Sequence, residues 1–222
     1  MTNGSWHAED SPWKADQVFR LIEKHDLHPL SIGEVGCGSG VVLQKLSERP
    51  TLTNTLFDGY DVSPDAIRMA NRLRTSANVR FHQADPFEMT DFFNLLIVLD
   101  VLEHIPDYLG FLQKCQNKSD YKIYHIPLDI HVSSVLRNSF VRGRRTVGHL
   151  HYFVADSALD ALRDTGHEIM DCTYTNGAIG LSREHRSLRR TGANVPRRIL
   201  SRFSVPLTSR LLGGYSLLVL AK

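Results

Sequence analysis

Cysteine is scarce: three in 222 residues, at positions 37, 115 and 172. An odd number so widely spaced argues against a disulfide framework and a zinc site, and it fits a reducing cytoplasm. No apolar run approaches the length needed to span a membrane. The opening stretch Met1–Asp10 lacks the basic start and apolar core of a secretion signal. There is no internal repeat and no low-complexity tract. Hydrophobic residues make up 42% and charged residues 23% of the chain, ordinary values for a globular protein. The length suits one domain spanning 1–222, with enough buried surface to need no covalent staple.

Acidic charge is missing from one region. The formal net charge of +2 conceals a segment, 183–210, with eight arginines and one glutamate, against 18 basic and 23 acidic residues elsewhere. Such a segment suits an anionic partner or a solvated helical face. Ile199, Leu200, Phe203, Leu207 and Leu211 lie among or beside its arginines, and Pro196 and Pro206 read as breaks. The pattern resembles a short basic amphipathic insertion. It could make a peripheral membrane contact, pack on the body or form a homodimer contact. A nucleic-acid role is disfavoured: it would call for more lysine and interleaved aromatics, and Phe203 stands alone.

The most informative stretch is Glu34-Val-Gly-Cys-Gly-Ser-Gly40. It follows an apolar run (Leu30, Ile32, Val35) that reads as a buried strand and leads into Val41–Leu46, which has helical spacing. Glycines at 36, 38 and 40 allow positive φ and let a ligand reach the backbone. The helix behind them turns its N–H groups and positive dipole end toward the loop. Strand, glycine turn and helix together form a nucleotide-type binding corner. A dinucleotide fingerprint would need glycine at 41, where Val41 stands, and no Lys-Ser/Thr pair follows to make a phosphate-binding P-loop. A glycine-rich turn without a ligand is the alternative.

Downstream residues extend the pattern. Ser11-Pro12 reads as a helix start, with Ser11 as N-cap and Val18, Leu21, Ile22 and His25 on one face. Trp6 and Trp13 flank that start as packing anchors. Thr55–Tyr60 reads as a second strand ending at Asp61 and Val62. Ser63-Pro64-Asp65 then caps a helix. A carboxylate at Asp61 can accept from two neighbouring ribose hydroxyls; a turn aspartate is the alternative. Asn78–His82 is a third strand, followed by Ala84-Asp85-Pro86. Phe92–Leu99 is the central fourth strand and runs into Asp100-Val-Leu-Glu-His-Ile105. Tyr121–Ile126 is the fifth. Alternating strands and helices imply a parallel sheet with covered faces, and ligands bind such sheets at the carboxyl ends of the strands. The stretch from Pro127 to Leu150 has no acid after Asp129 and carries His131, Arg137, Arg142, Arg144 and Arg145. At this length 127–150 reads as a lid or insertion, with one short helix over Ser133–Val141.

These motifs, with Gly148-His-Leu-His-Tyr-Phe153 ahead of a helix at Ser157–Leu162, resemble the class I S-adenosylmethionine-dependent methyltransferases, in particular the quinone and sugar O-methyltransferase branch. The resemblance covers residues 11–175 and 215–221. It implies an α/β fold: a three-layer Rossmann-like sandwich with a seven-stranded, mostly parallel sheet whose antiparallel last strand is Tyr215–Ala221, pairing near His167–Tyr174. The implied cofactor is S-adenosyl-L-methionine, met by Glu34, Gly36, Cys37, Gly38, Gly40, Asp61, Val62, Asp85, Pro86 and Asp100. Asp85 stands where the family meets the adenine amino group.

The implied acceptor is a small molecule, probed first as a hydroxyl and anionic if the arginines face it. A hydroxyl must lose a proton, so His104, with Glu103, is the catalytic candidate; a histidine that caps or packs is the alternative. Asp100, Glu103, His104, His149 and His151 also resemble the metal set of the small-RNA 2′-O-methyltransferases, with Asp100 in place of their first glutamate. A carboxylate and imidazole set could hold Mg²⁺, Mn²⁺ or Zn²⁺. That would make the chain a metal-assisted RNA methyltransferase. A non-catalytic cofactor-binding protein is the third reading. The absence of a D-P-P-Y-type stretch after the fourth strand, and of a Pro-Cys pair, argues against DNA amine and cytosine C5 methylation. Cys37 and Cys115 read as inert.

Overall fold

The computed structural model describes residues 10–177 and 188–222, the side chains of 188–194 excepted. The chain divides into two compact units, one of Met1–Leu99, Gln113–Ile123 and Leu220–Lys222, the other of Asp100–Leu112 and Tyr124–Val219. Seven strands form one sheet in the order β3-β2-β1-β4-β5-β7-β6, mostly parallel with the last strands antiparallel, flanked by helices. They are β1 (Ser31–Val35), β2 (Leu56–Asp61), β3 (Val79–Gln83), β4 (Phe93–Leu99), β5 (Ser119–Pro127), β6 (Ile169–Thr175) and β7 (Ser216–Ala221). Among the described residues, no helix is long and apolar enough to cross a membrane.

The first unit holds β1 to β4 with α1 (Ser11–Lys24), α2 (Val41–Ser47) and α3 (Pro64–Leu73). Val35 lies opposite both Tyr60 and Val98 in parallel register, so β1, β2 and β4 end at one edge of the sheet. The near-continuous burial of Ile32–Val35 and Leu95–Leu99 is what a parallel strand covered on both faces requires. The start of α1 differs from expectation. Asp10 is the N-cap, without a side-chain cap bond, and Ser11 lies buried in the first turn. Val18, Leu21 and Ile22 are buried, but His25 falls on the C-cap. Ser63 does cap α3, accepting from the Ala66 N–H, with Pro64 where no N–H is needed. No helix separates β3 from β4; a 3₁₀ turn, Pro86–Glu88, stands between them.

The second unit holds α5 (Val132–Leu136), α6 (Ser139–Thr146), α7 (Ala155–Asp164), α8 (Leu188–Ser201) and α9 (Val205–Leu212). Among the described residues one further helix, α4 (Tyr108–Gln116), contains buried Cys115. Where one helix over Ser133–Val141 was expected there are two, because Asn138 takes the left-handed conformation, φ 50°, and resets the chain direction. Asparagine tolerates that region better than most residues. Neither proline of the basic segment acts as a break. The helix α8 continues through Pro196, and Pro206 sits in the first turn of α9 behind the Ser204 cap. Trp6 and residues 183–187 of the basic segment lie outside the described residues.

Candidate active site

The glycine loop is tied down by its own neighbours. Gly36 and Cys37 donate to the Tyr60 carbonyl at 2.8 and 3.0 Å, and Gly40 donates to the Cys37 carbonyl at 2.8 Å. Gly38 donates to Asp61 Oδ2 at 3.0 Å, and Ser63 donates to Asp61 Oδ1 at 2.8 Å. All three glycines have positive φ. At Gly40, φ 73°, a Cβ would run into the Phe81 ring and Ala70. Only glycine fits there. Asp61 therefore has the turn role that stood as the alternative to ribose binding. Each of its oxygens still holds a second lone pair, so accepting from ribose hydroxyls requires no break in the loop.

Glu34 is buried on β1. Burial raises its pKa to about 8, opposed by Lys14 and assisted by Asp61. Its Oε2 has no hydrogen-bond partner among the described residues. Cys37 is buried, and burial, then Glu34 and Asp61, push its thiol far above the usual range, which suits an inert side chain. Val62 is 76% exposed, an apolar side chain left uncovered next to Asp61. Asp85 caps the 3₁₀ turn by accepting from the Phe87 N–H at 3.0 Å, and Pro86 in that turn is buried. A cradle of glycines, an uncovered aliphatic side chain, a carboxylate pair and a buried acid with an unused oxygen fit a cationic nucleoside.

The chain enters the second unit at Asp100, directly after β4. Asp100 has φ 54°, unusual for a residue with a Cβ. Its carboxylate faces His125 of β5, Oδ1 to Nδ1 2.6 Å, and His125 Nε2 meets Thr175 Oγ1 at 2.9 Å. The 3₁₀ turn Leu102–His104 follows. The Glu103 carbonyl accepts from Leu150 N–H at 2.6 Å and His151 N–H at 3.2 Å, which straps 148–151 across the turn.

Three side chains converge on this turn. Glu103, buried, His104, partly exposed, and His149, half-buried, offer ligand atoms within 4.8 Å of one another. His104 Nδ1 faces the Gly148 carbonyl at 3.3 Å, and His149 Nδ1 faces Asp129 Oδ2 at 2.8 Å. Both partners are acceptors, which favours the proton on Nδ1 and, in a neutral ring, leaves Nε2 as the basic nitrogen. The His104 Nε2 is 4.0 Å from Glu103 Oε1, and the two imidazoles meet edge to face at 5.0 Å. Of the five residues read from sequence as a possible metal set, the structure brings three together. Asp100 turns to His125 instead. His151 turns to the Pro106 carbonyl at 3.1 Å, and its ring meets Tyr108 at a 57° tilt with centroids 4.7 Å apart. Sequence reasoning missed Asp129 as the partner of His149, and the His125–Thr175 pair that holds Asp100. Asp129 had one signal: it is the last acid before a long basic stretch.

A methyltransferase domain family model matches residues 12–171. A ubiquinone biosynthesis O-methyltransferase of Pseudomonas fluorescens is 25% identical over 121 residues, 46% of this chain and 50% of that protein. The chain therefore spans about half the length of the curated relatives it matches. The magnesium protoporphyrin IX methyltransferase of Synechocystis, solved with bound S-adenosylhomocysteine, shares the fold at TM-score 0.63 and 17% identity, over 95% of this chain and 82% of that one. A cyclopropane synthase of Mycobacterium tuberculosis shares it at TM-score 0.62 and 12% identity, over 93% and 84%. The chain belongs to the class I methyltransferase family, whose cofactor is S-adenosylmethionine.

Proposed function

We propose that this protein transfers a methyl group from S-adenosylmethionine to a small-molecule acceptor, with a hydroxyl as the reacting group. The observation that carries the reading is the His104 imidazole, whose Nδ1 faces the Gly148 carbonyl so that Nε2 is the basic atom. S-adenosylmethionine supplies an electrophilic methyl already activated by its sulfonium. The protein's tasks are to bind it, to orient the acceptor and to take the proton the hydroxyl loses. Gly36, Cys37, Gly38 and Gly40 would cradle the cofactor, Asp61 would hold its ribose, Val62 would cover the adenine, and Asp85 with Pro86 would border it. Glu34, with an unused oxygen, would face the cationic end. Asp100 fits a role through the turn it begins, since His125 occupies one of its oxygens. His104 Nε2 would accept the acceptor's proton, worth roughly 10²- to 10⁴-fold in rate. A phenolic hydroxyl on a quinone-type ring is the leading acceptor, because the curated relatives are named O-methyltransferases of ubiquinone biosynthesis.

A second reading shares the same atoms. Glu103, His104 and His149 would hold a divalent cation, with Asp129 orienting His149 as an outer-shell carboxylate does. One carboxylate and two imidazoles suit Zn²⁺, Mn²⁺ or Fe²⁺ better than Mg²⁺. The cation would lower the pKa of a bound acceptor hydroxyl, so that no base need remove its proton unaided. Turnover with phenolic acceptors, measured before and after chelation, separates the two. Activity that survives chelation and falls in His104→Gln supports the base. Activity lost to chelator and restored by metal supports the cation. Cofactor binding with no turnover on any acceptor supports a non-catalytic binding protein.

A further inference from the structure

Two helices of the second unit are turned inside out. On α9, Thr208 and Ser209 are buried while Leu207 and Leu211, one turn apart, are 46% and 36% exposed. On α5, Ser134 is buried, whereas Val135 and Leu136 are 58% and 82% exposed. The inward polar groups bond to nearby backbone: Thr208 Oγ1 to the Ser204 carbonyl, and Ser134 Oγ to the Asp129 and His131 carbonyls. Helices of a water-bathed surface normally present the opposite pattern.

These helices pack on one another, and α8 packs on α9. Ile199 and Phe203, 57% and 83% exposed, add to the same apolar set. Beside α5 lies an apolar groove of about 330 Å³, lined by Ile130, His131, Val132, Val135, Leu136 and Val154, with Arg210 the one contribution from α9. Of the large apolar side chains left exposed in the described residues, more than half lie within 130–147 and 195–211. Concentrated exposure of this kind marks a surface that something covers.

Charge says what covers it. No aspartate or glutamate occurs in 130–154 or in 188–222. Arg137, Arg142, Arg144, Arg145, Arg198 and Arg202 make no ion pair with a described carboxylate, unlike Arg210, which meets Asp156 at 2.5 Å. Exposed aliphatic and aromatic side chains interleaved with unopposed arginine are the pattern of a helix lying in a bilayer interface.

We propose that α5, α8 and α9 form a docking face for an anionic lipid bilayer, with Leu136, Ile199, Phe203, Leu207 and Leu211 entering the acyl boundary and the arginines meeting the headgroups. This does not rest on the methyl-transfer reading, and either can fail without the other.

The test is sedimentation of the full chain with vesicles of phosphatidylcholine, alone or with 30 mol% phosphatidylglycerol, at about 50 and 500 mM salt. Binding to the anionic vesicles should exceed binding to neutral ones at least tenfold and weaken with salt, since each arginine near the surface is worth about fivefold. Leu136→Asp/Phe203→Asp, at two exposed positions, should lower binding at least tenfold while cofactor affinity stays unchanged. Arg198→Glu/Arg202→Glu should do the same and remove part of the salt dependence. The proposal would be overturned by no binding to anionic vesicles, by equal binding to neutral ones, or by a micromolar dimer that the Leu136→Asp/Phe203→Asp variant dissolves. Salt-sensitive binding to RNA in place of vesicles would also overturn it.

Discussion

The corner at Gly36–Gly40 and Asp61 and the cluster at Glu103, His104 and His149 are assembled in opposite ways. In the corner, loop N–H groups find their acceptors within about 25 residues, on the adjacent parallel strand and its last aspartate. The loop is ordered by β2 itself. In the cluster, His104 meets the carbonyl of a residue 44 positions away, and His149 owes its orientation to Asp129, 20 positions away. Its geometry rests on the 127–150 segment closing over the turn after β4. The corner should therefore bind cofactor whatever that segment does, and damage to the segment should reach chemistry alone.

Four experiments would break or sharpen this contrast. The largest effect belongs to His104→Gln, which should lower kcat roughly 10²- to 10⁴-fold while leaving the cofactor Kd within twofold. Equal losses in both would erase the separation. Next comes Asp61→Ala. It removes two charge-assisted acceptor sites, costs about 3 kcal/mol of binding, and should weaken S-adenosylmethionine about 100-fold by calorimetry. Thermal melting of the free variant would report any loosening of the tethers to Gly38 and Ser63.

Third is Asp129→Asn. If Glu103, His104 and His149 hold a metal, metal content and metal affinity should fall roughly 10- to 100-fold. If His104 acts as a base without metal, kcat should change several-fold at most and chelation should have no effect.

A fourth experiment, Glu34→Gln on the free protein, reads stability in place of rate or affinity. The Glu34 carboxyl titrates near pH 8 in the folded state and near its ordinary value of 4.5 when unfolded. Between those values the folded state holds the extra proton, so stability falls as pH rises and the loss is complete above pH 8. The glutamine variant should lack that slope and match the wild type near pH 4. Above pH 8 it should be more stable by an amount on the order of a few kcal/mol. Chemical denaturation across the pH range measures this.

The legible parts of the molecule are those where a local pattern has one structural solution. The glycine spacing, the apolar runs of β1 and β4 and the Ser63-Pro64 cap each determine backbone within a few residues. The rest needed information that lies far off in sequence. Asp100 sits where a cofactor or metal contact was expected, but its neighbour across the sheet, His125, could be found only from strand order. His149 and His151 are equivalent in sequence, two residues apart. The strap onto the Glu103 carbonyl turns one toward His104 and the other toward Pro106. Helical periodicity groups Leu207 with Leu211 but does not say which side of α9 faces the protein. The buried Thr208 and Ser209 reverse the usual inference.

The most direct test is calorimetric titration of wild type, Asp61→Ala and His104→Gln with S-adenosylmethionine and S-adenosylhomocysteine. The account predicts micromolar binding by the wild type, about −8 kcal/mol, retained in His104→Gln and weakened about 100-fold in Asp61→Ala. Absence of binding by the wild type, or equal binding by Asp61→Ala, would contradict the assignment of the glycine corner as the cofactor site.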